Sequence, residues 1–271
     1  MPQPVDRLTS SVVILVALAV AGFFIYPHTE YFGLAAEYRQ LLGFADSKNA
    51  EVASAHIRYA AAADEKIIIP QTVLWDVPFS SQAPFENWSQ PWQDACEEAS
   101  VLMAVAWARG AELTPSFAAE EILQQVQFEE KVLGYHRDTN LKDTARLLKD
   151  FYRYENFDLR YDGVTPENIK KEVASGNLVI VPLAGEVIEN PYFTSPPHYH
   201  MVVVRGYDDK TREFIVNEPG TKHGNGLRYR YDNLMEAIHD WTGSAATILD
   251  GEKAMIVVRP VKKYEVRYNT F

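Results

Sequence analysis

A single cysteine, Cys96, occurs in the 271 residues. No internal disulfide can form, and without a Cys-x-x-Cys pair a structural zinc site of the thiolate type is excluded too. No Lys- or Arg-rich run is present, and acids outnumber bases 37 to 26, for a net charge of −11. A nucleic-acid binder needs a clustered basic face, so that class drops out, and the same balance disfavours docking on anionic lipid. There is no His-Glu-x-x-His motif and no glycine-rich loop of the kind that cradles phosphate. Internal repeats and low-complexity tracts are also missing. What remains is ordinary globular composition, 47% apolar and 23% charged, in a chain long enough to bury a core.

Charge is absent in one further place. No Asp, Glu, Lys or Arg occurs between Arg7 and Glu30, and every residue from Val12 to Tyr26 is apolar, Gly or Tyr. About 20 uncharged residues suffice to span a bilayer as a helix. A run that is apolar on every face is not a surface helix, so residues 1–27 are expected to be a single-pass anchor. Ala19-Val20-Ala21 also fits a signal-peptidase site. The expectation is therefore a chain that contacts the membrane through its N-terminal helix and is otherwise outside the cytoplasm, secreted if the segment is cleaved. Residues 28–66 are Ala-rich and helix-prone, as in Tyr31–Leu42 and Glu51–Glu65, and read as a helical spacer.

From Lys66 the pattern changes, and residues 67–271 are expected to form one α+β domain. Ile67 to Pro70 and Val73 to Phe79 read as extended segments, followed by a polar loop, Ser80 to Asp94. A helix is expected from Ala95 to Arg109, capped by Asp94 and stopped by Gly110. Helical patterns follow at Ser116–Gln127 and Asn140–Phe151. Thr165-Pro166-Glu167 opens another, with an N-cap, a Pro at the first helical position and an acidic first turn. Strands are expected at Phe157–Tyr161, Leu178–Pro182, His200–Val204, Glu213–Val216, Leu227–Tyr231 and Ala254–Arg259, with a helix at Asn233–Trp241. Helices first and antiparallel strands afterwards make the fold class α+β. Gly206 and Gly220 are read as turn glycines, the first opening a turn that runs to Lys210.

Cys96 sits at the start of a helix, where the positive end of the dipole lowers a thiol pKa. Glu97 and Glu98 favour the helix but oppose a thiolate, so a partner base is required, and His is the usual one. His200, at the head of a strand, is the best-placed imidazole. The next strand returns beside it and brings Asn217 and Glu218 near, either of which could fix the ring.

Four segments carry a family resemblance: Val77-Pro78-Phe79-Ser80-Ser81-Gln82, Cys96-Glu97-Glu98-Ala99-Ser100, His200-Met201-Val202-Val203-Val204-Arg205-Gly206-Tyr207-Asp208, and Val216-Asn217-Glu218-Pro219-Gly220. In this order they resemble the bacteriocin-processing type of cysteine peptidase, the C39-like branch of the papain-like superfamily, over roughly residues 67 to 245. The resemblance implies a papain-like fold, with a helical half followed by an antiparallel sheet. It implies Cys96 as nucleophile, His200 as general base, Gln82 as oxyanion-hole donor and the residue before Pro219 as orienter. The family usually has Asp there, whereas this chain has Glu218, so Asn217 stays open as the orienter. Gln90 and Gln93 also precede the cysteine and stay open as oxyanion donors. The implied activity is peptide-bond hydrolysis through an acyl-enzyme on a peptide or protein substrate, with no metal or organic cofactor. Alternatives on the same fold are a cell-wall amidase or transpeptidase-like acyl transferase, and an inactive peptide-binding module.

The remaining features have plainer readings. His198 and His200 share one strand face and with Glu218 and His223 could ligate a metal, but that leaves Cys96 unexplained. His28, His56, His136 and His239 read as surface or helix residues, and the five Trp as core or cleft wall.

Overall fold

The structure, a computed structural model, describes residues 69–261. The expected anchor or signal segment at 1–27 and the spacer at 28–66 lie outside the described residues. The described residues belong to one compact unit. Among them no helix is long and apolar enough to cross a membrane.

A seven-stranded sheet organises the domain, with every pairing antiparallel. The strands are β1 (Thr72–Leu74), β2 (Phe157–Arg160), β3 (Leu178–Ala184), β4 (Tyr199–Asp208), β5 (Glu213–Asn217), β6 (Asn225–Arg230) and β7 (Met255–Val258). Their spatial order is β2-β7-β3-β4-β5-β6, and β1 pairs with the far end of β4. The helices are α1 (Cys96–Arg109), α2 (Pro115–Val132), α3 (Leu141–Arg146, continued by a π-helical turn at Leu147–Phe151), α4 (Pro166–Ala174) and α5 (Tyr231–Ala237). The architecture is α+β, though not two clean halves: β1 precedes the first helix, and α4 and α5 are interleaved with the strands.

Local chemistry sets most boundaries. Gly110 adopts the left-handed conformation (φ 68°), and its N–H closes α1 onto the Ala106 and Trp107 carbonyls. Thr114, Asn140 and Thr165 each accept a backbone N–H from the first turn of α2, α3 and α4. Helix α2 runs to Val132, five residues beyond the expected Gln127, because its last turns pack on the 147–151 segment through Phe128 against Phe151.

The helix expected at Asn233–Trp241 runs instead from Tyr231 to Ala237, and two further expectations fail locally. Asp94 does not cap α1; the N-cap is Ala95, with no side-chain cap bond. Asp94 ends a 3₁₀ turn (Trp92–Asp94), and its carboxylate instead accepts from Gln90 and pairs with Arg137. Gly206 is not in a turn either. Strand β4 continues to Asp208, and Gly206 sits at a register shift where β1 crosses so closely that a Cβ would lie 2.5 Å from the Val73 carbonyl oxygen. Glycine is there for the approach of a neighbouring backbone, not for a bend.

Helix α1 is the buried centre of the domain. Every residue from Cys96 to Ala108 is buried, not only the expected Val101, Leu102, Val105 and Trp107. The helix packs on β3, β4 and β7 as well as on α2 and the 147–151 segment. Ala99, Ala104, Ala106 and Ala108 keep it thin enough to be enclosed. The Ser100 hydroxyl donates to the Met201 carbonyl at 3.2 Å, tying the helix to β4. A second core on the sheet joins Val179, Val181 and Leu183 of β3, Val202 and Val204 of β4, and Val216 of β5 to Ile169 and Val173 of α4 and Leu234 of α5.

Candidate active site

Three of the expected site residues are brought together in two groups at one end of this scaffold. The first group surrounds His200. β4 and β5 pair with Val203 opposite Asn217, so Glu218 follows directly beyond the ladder. The His200 ring, 2% exposed, hydrogen-bonds Glu218 Oε1 through Nε2, and Glu218 is fully buried. Glu218 is itself held: Gly220 N–H donates to Oε1 at 2.8 Å and the Tyr229 hydroxyl to Oε2 at 2.8 Å. Tyr229 in turn accepts from the Asn190 amide at 2.8 Å. Burial and the Glu218 carboxylate push the Tyr229 phenol up, so it stays a donor. Phe193 packs edge-on against the His200 ring, centroids 5.4 Å apart. A Cβ on Gly220 would lie 2.9 Å from the Phe193 ring and 3.0 Å from both Glu218 Oε1 and His200 Cε1, so this packing requires glycine.

Asn217 faces the other way, as alternation along a strand requires. Its amide donates to the Val77 and Pro78 carbonyls at 3.4 and 3.2 Å, and its buried Oδ1 has no partner. Asn217 thus fastens the 77–82 segment to the sheet, while Glu218 contacts the imidazole.

The second group surrounds Cys96, a buried free thiol. Its Sγ donates to Glu97 Oε2 at 3.0 Å, and Glu97 Oε1 accepts from the Thr139 N–H at 2.8 Å. No hydrogen bond joins Cys96 to His200: the imidazole is bound to Glu218, the thiol to Glu97. Burial raises the Cys96 pKa well above the ordinary thiol range, and Glu97, Asp138 and Glu98 add to the effect. The helix-start expectation of a lowered thiol pKa is therefore corrected. Desolvation and three nearby carboxyl groups outweigh half a unit of dipole charge.

Gln82 connects the two groups. Its backbone N–H donates to the Pro219 carbonyl at 3.0 Å, and its side-chain amide donates to the Trp92 and Gln93 carbonyls at 3.0 and 2.8 Å. The segment before the cysteine and the segment after Glu218 are thereby pinned to one residue. Both amide hydrogens are committed to those carbonyls. Gln90, bonded to Asp94, and Gln93 are exposed. The other His residues considered for a metal lie apart: His198 pairs with Glu186 at the surface (2.8 Å) and His223 stacks on Tyr192. Among the described residues no group of three or more His, Cys, Asp or Glu is placed to hold a metal ion.

Sequence reasoning missed Tyr229, Thr139 and the burial of Glu97 and Glu98. Nothing marks Tyr229 among 15 tyrosines, and Thr139 reaches Glu97 across 42 residues of chain. An open pocket of ≈ 470 Å³, lined by Tyr135, Arg137, Asn140, Trp241, Thr242 and Gly243, flanks the Thr139 loop. Trp241 packs on Tyr199, whose hydroxyl donates to the Thr139 carbonyl at 3.0 Å.

Below the thiol lies a second carboxyl pair. Glu98 on α1 and Glu129 on α2 are both fully buried, and no N–H or hydroxyl reaches either carboxyl group. The two carboxyl groups interact, and burial favours a proton on the pair. Burial pushes Glu98 up to about 7 and Glu129 up as well. The sign follows from proton counting: between the ordinary glutamate range near ~4.3 and about 7, the folded state binds a proton that the unfolded chain does not. Stability is then highest in acid and falls as pH rises through that window. Urea unfolding of the wild type is expected to show lower stability at pH 8 than at pH 5. Glu129→Gln, whose amide can donate to an ionised Glu98, should remove most of the difference. A wild type that gains stability from pH 5 to 8 contradicts a buried proton on this pair.

The model of the Peptidase_C39 like family matches residues 74–247. A crystal structure from Bacillus anthracis described as a C39-like peptidase is similar at 15% identity and a TM-score of 0.46, covering 71% of this chain and 100% of that one. Xylellain, a cysteine protease from Xylella fastidiosa, is similar at 14% identity and a TM-score of 0.45, covering 72% of this chain and 88% of that one. No curated protein matches.

Proposed function

As the chain belongs to the Peptidase_C39 like family, we propose that it is a cysteine peptidase that cleaves peptide bonds in peptide or protein substrates. Cys96 is the nucleophile in this reading, His200 the general base and Glu218 the residue that orients His200. The observation that carries it is the His200–Glu218 pair, a buried imidazole beside a carboxylate that two further donors hold in place. A structural histidine has no need of so complete a support, whereas a proton shuttle depends on a fixed ring direction.

Reaction requires the thiol to leave Glu97 Oε2 and present Sγ to His200, by rotation about the Cα–Cβ bond. The S–H proton passes to the imidazole as sulfur attacks the scissile carbonyl. The imidazolium then protonates the departing amine, leaving an acyl-enzyme, and water activated by His200 cleaves the thioester. The Cys96 backbone N–H, in the first turn of α1 and so without an intrahelical acceptor, is one donor for the oxyanion. Gln82 is the second, provided one of its amide hydrogens exchanges a carbonyl of Trp92 or Gln93 for the substrate. The pocket beside the Thr139 loop offers room for substrate side chains.

The test is a peptide carrying a thiol-directed electrophile, incubated with the full chain in mild detergent while cleavage of an unfolded polypeptide is followed. Cleavage should fall in step with the appearance of one adduct on Cys96. Cleavage that persists when the sulfur is fully modified would sink the reading. Modification of a protein that never cleaves would make it a peptide receptor.

A further inference from the structure

The Cys96–Glu97 contact has chemistry of its own. The Glu97 carboxyl folds back over the first turn of α1 so that one oxygen meets the sulfur at 3.0 Å and the other is held by the Thr139 N–H at 2.8 Å. Both residues are all but enclosed, Cys96 4% and Glu97 1% exposed. A carboxyl group in this position can face sulfur in two ways. Ionised, it only accepts, so sulfur must keep its proton. Neutral, its O–H can donate, and a thiolate becomes the favoured acceptor.

We propose that Glu97 is a pH-operated latch on the nucleophile, holding Cys96 as a thiol when ionised and stabilising it as a thiolate when neutral. This rests on the reading of Cys96 as nucleophile and His200 as base. The proton balance is simple. The latched state carries a Glu97 carboxylate, a Cys96 thiol and a neutral His200. On acidification one solvent proton goes to Glu97 Oε2, and the thiol, released from that oxygen, passes its proton to His200. That gives a neutral carboxyl, a thiolate and an imidazolium, and the net charge of the set rises by one. The S–H bond breaks, an O–H and an N–H bond form, and no redox partner is involved.

The surroundings favour a late transition. From α1 itself Cys96 and Glu98 face Glu97; α2 contributes Glu129, the segment around the Thr139 loop Tyr135 and Asp138, and β4 Tyr199, while Asp94, Arg137 and His198 act on Asp138. The nearest of these are acids. The cation Arg137 is 60% exposed and lies beside Asp94, and His198 pairs with Glu186. Burial first, and then Glu98, raise the Glu97 pKa well above the ordinary carboxyl range, while the bond from Cys96 opposes the rise. Asp138, pushed up to about 6 by its own burial, titrates nearby and would soften the transition. The latch is open on the acid side of the Glu97 transition and closed on its alkaline side.

The experiment reads sulfur directly. With only one cysteine in the chain, iodoacetamide alkylation of the full-length protein in mild detergent reports Cys96 alone. An ordinary thiol gains about tenfold in rate for each unit of pH rise below its pKa. The wild type is instead expected to react at a rate that is flat or falling from pH 5 to 8. Glu97→Gln, whose amide is always neutral and can donate to sulfur, should react at least tenfold faster than wild type at pH 7.5, and Glu97→Asp should stay slow. A wild-type rate that climbs about tenfold per unit across the range, or a Glu97→Gln rate equal to wild type, overturns the latch. If Glu97→Gln does not fold, the wild-type profile decides alone. Alkylation does not depend on peptide hydrolysis, so the two readings fail separately: cleavage unaffected by loss of Cys96 would remove the nucleophile, while the alkylation profile would still settle the latch.

Discussion

Cys96→Ala is expected to abolish peptide hydrolysis, lowering the rate by at least about a thousandfold, with the circular dichroism spectrum and urea midpoint close to wild type. The change removes one sulfur atom from the end of α1. Glu97 keeps its bond from the Thr139 N–H, and the substituted alanine continues the helix that Gly110 terminates. No other cysteine can substitute. Turnover and unfolding should be measured on one preparation, because the first turn of α1 is enclosed and a packing defect there would lower activity by another route. A folded variant that retains a tenth of wild-type activity would show that sulfur is not the nucleophile.

The second large effect is expected at Glu218. Its carboxylate receives three donors, from His200, Gly220 and Tyr229. Glu218→Gln keeps the length but halves the acceptor capacity and removes the charge that stabilises an imidazolium. The amide NH₂ must then face either the His200–Gly220 donors or the Tyr229 hydroxyl. We expect a rate loss of at least about tenfold, with substrate binding little changed, because the carboxylate acts through the imidazole. Asn217→Ala is the contrasting variant. It removes two hydrogen bonds to the Val77 and Pro78 carbonyls, with an expected cost of about 1 to 2 kcal/mol of stability and only a few-fold change in rate. Should Asn217→Ala cripple turnover while Glu218→Gln is mild, the two roles would have to be exchanged.

These two neighbours show how far the sequence reaches. Alternation along a strand says that Asn217 and Glu218 point to opposite faces. Which of them meets His200 is fixed by the pairing of Val203 with Asn217, and a one-residue slip would reverse the answer. The helix ends at Gly110, Thr114-Pro115 and Thr165-Pro166 were legible because each depends on bonds within one turn. Asp94 and Gly206 misled for the complementary reason. The side chain of the first is claimed by Gln90 and Arg137, and the small size of the second serves a strand that lies more than 130 residues earlier in the chain.

The sequence by itself determined that this is an acidic α+β protein with one thiol at a helix start and one histidine at a strand head, in the order of four family segments. Those properties reside in local propensity, in alternation and in residue type, none of which requires the partners to be known. Only the tertiary structure decided what surrounds the thiol. Burying α1 on every side encloses Glu97, Glu98 and Glu129 with it, and carboxyl groups that a helix start would ordinarily show to water join desolvation in raising the thiol pKa. The free energy of a charged group depends on what replaces its water, and that is set by contacts between distant parts of the chain.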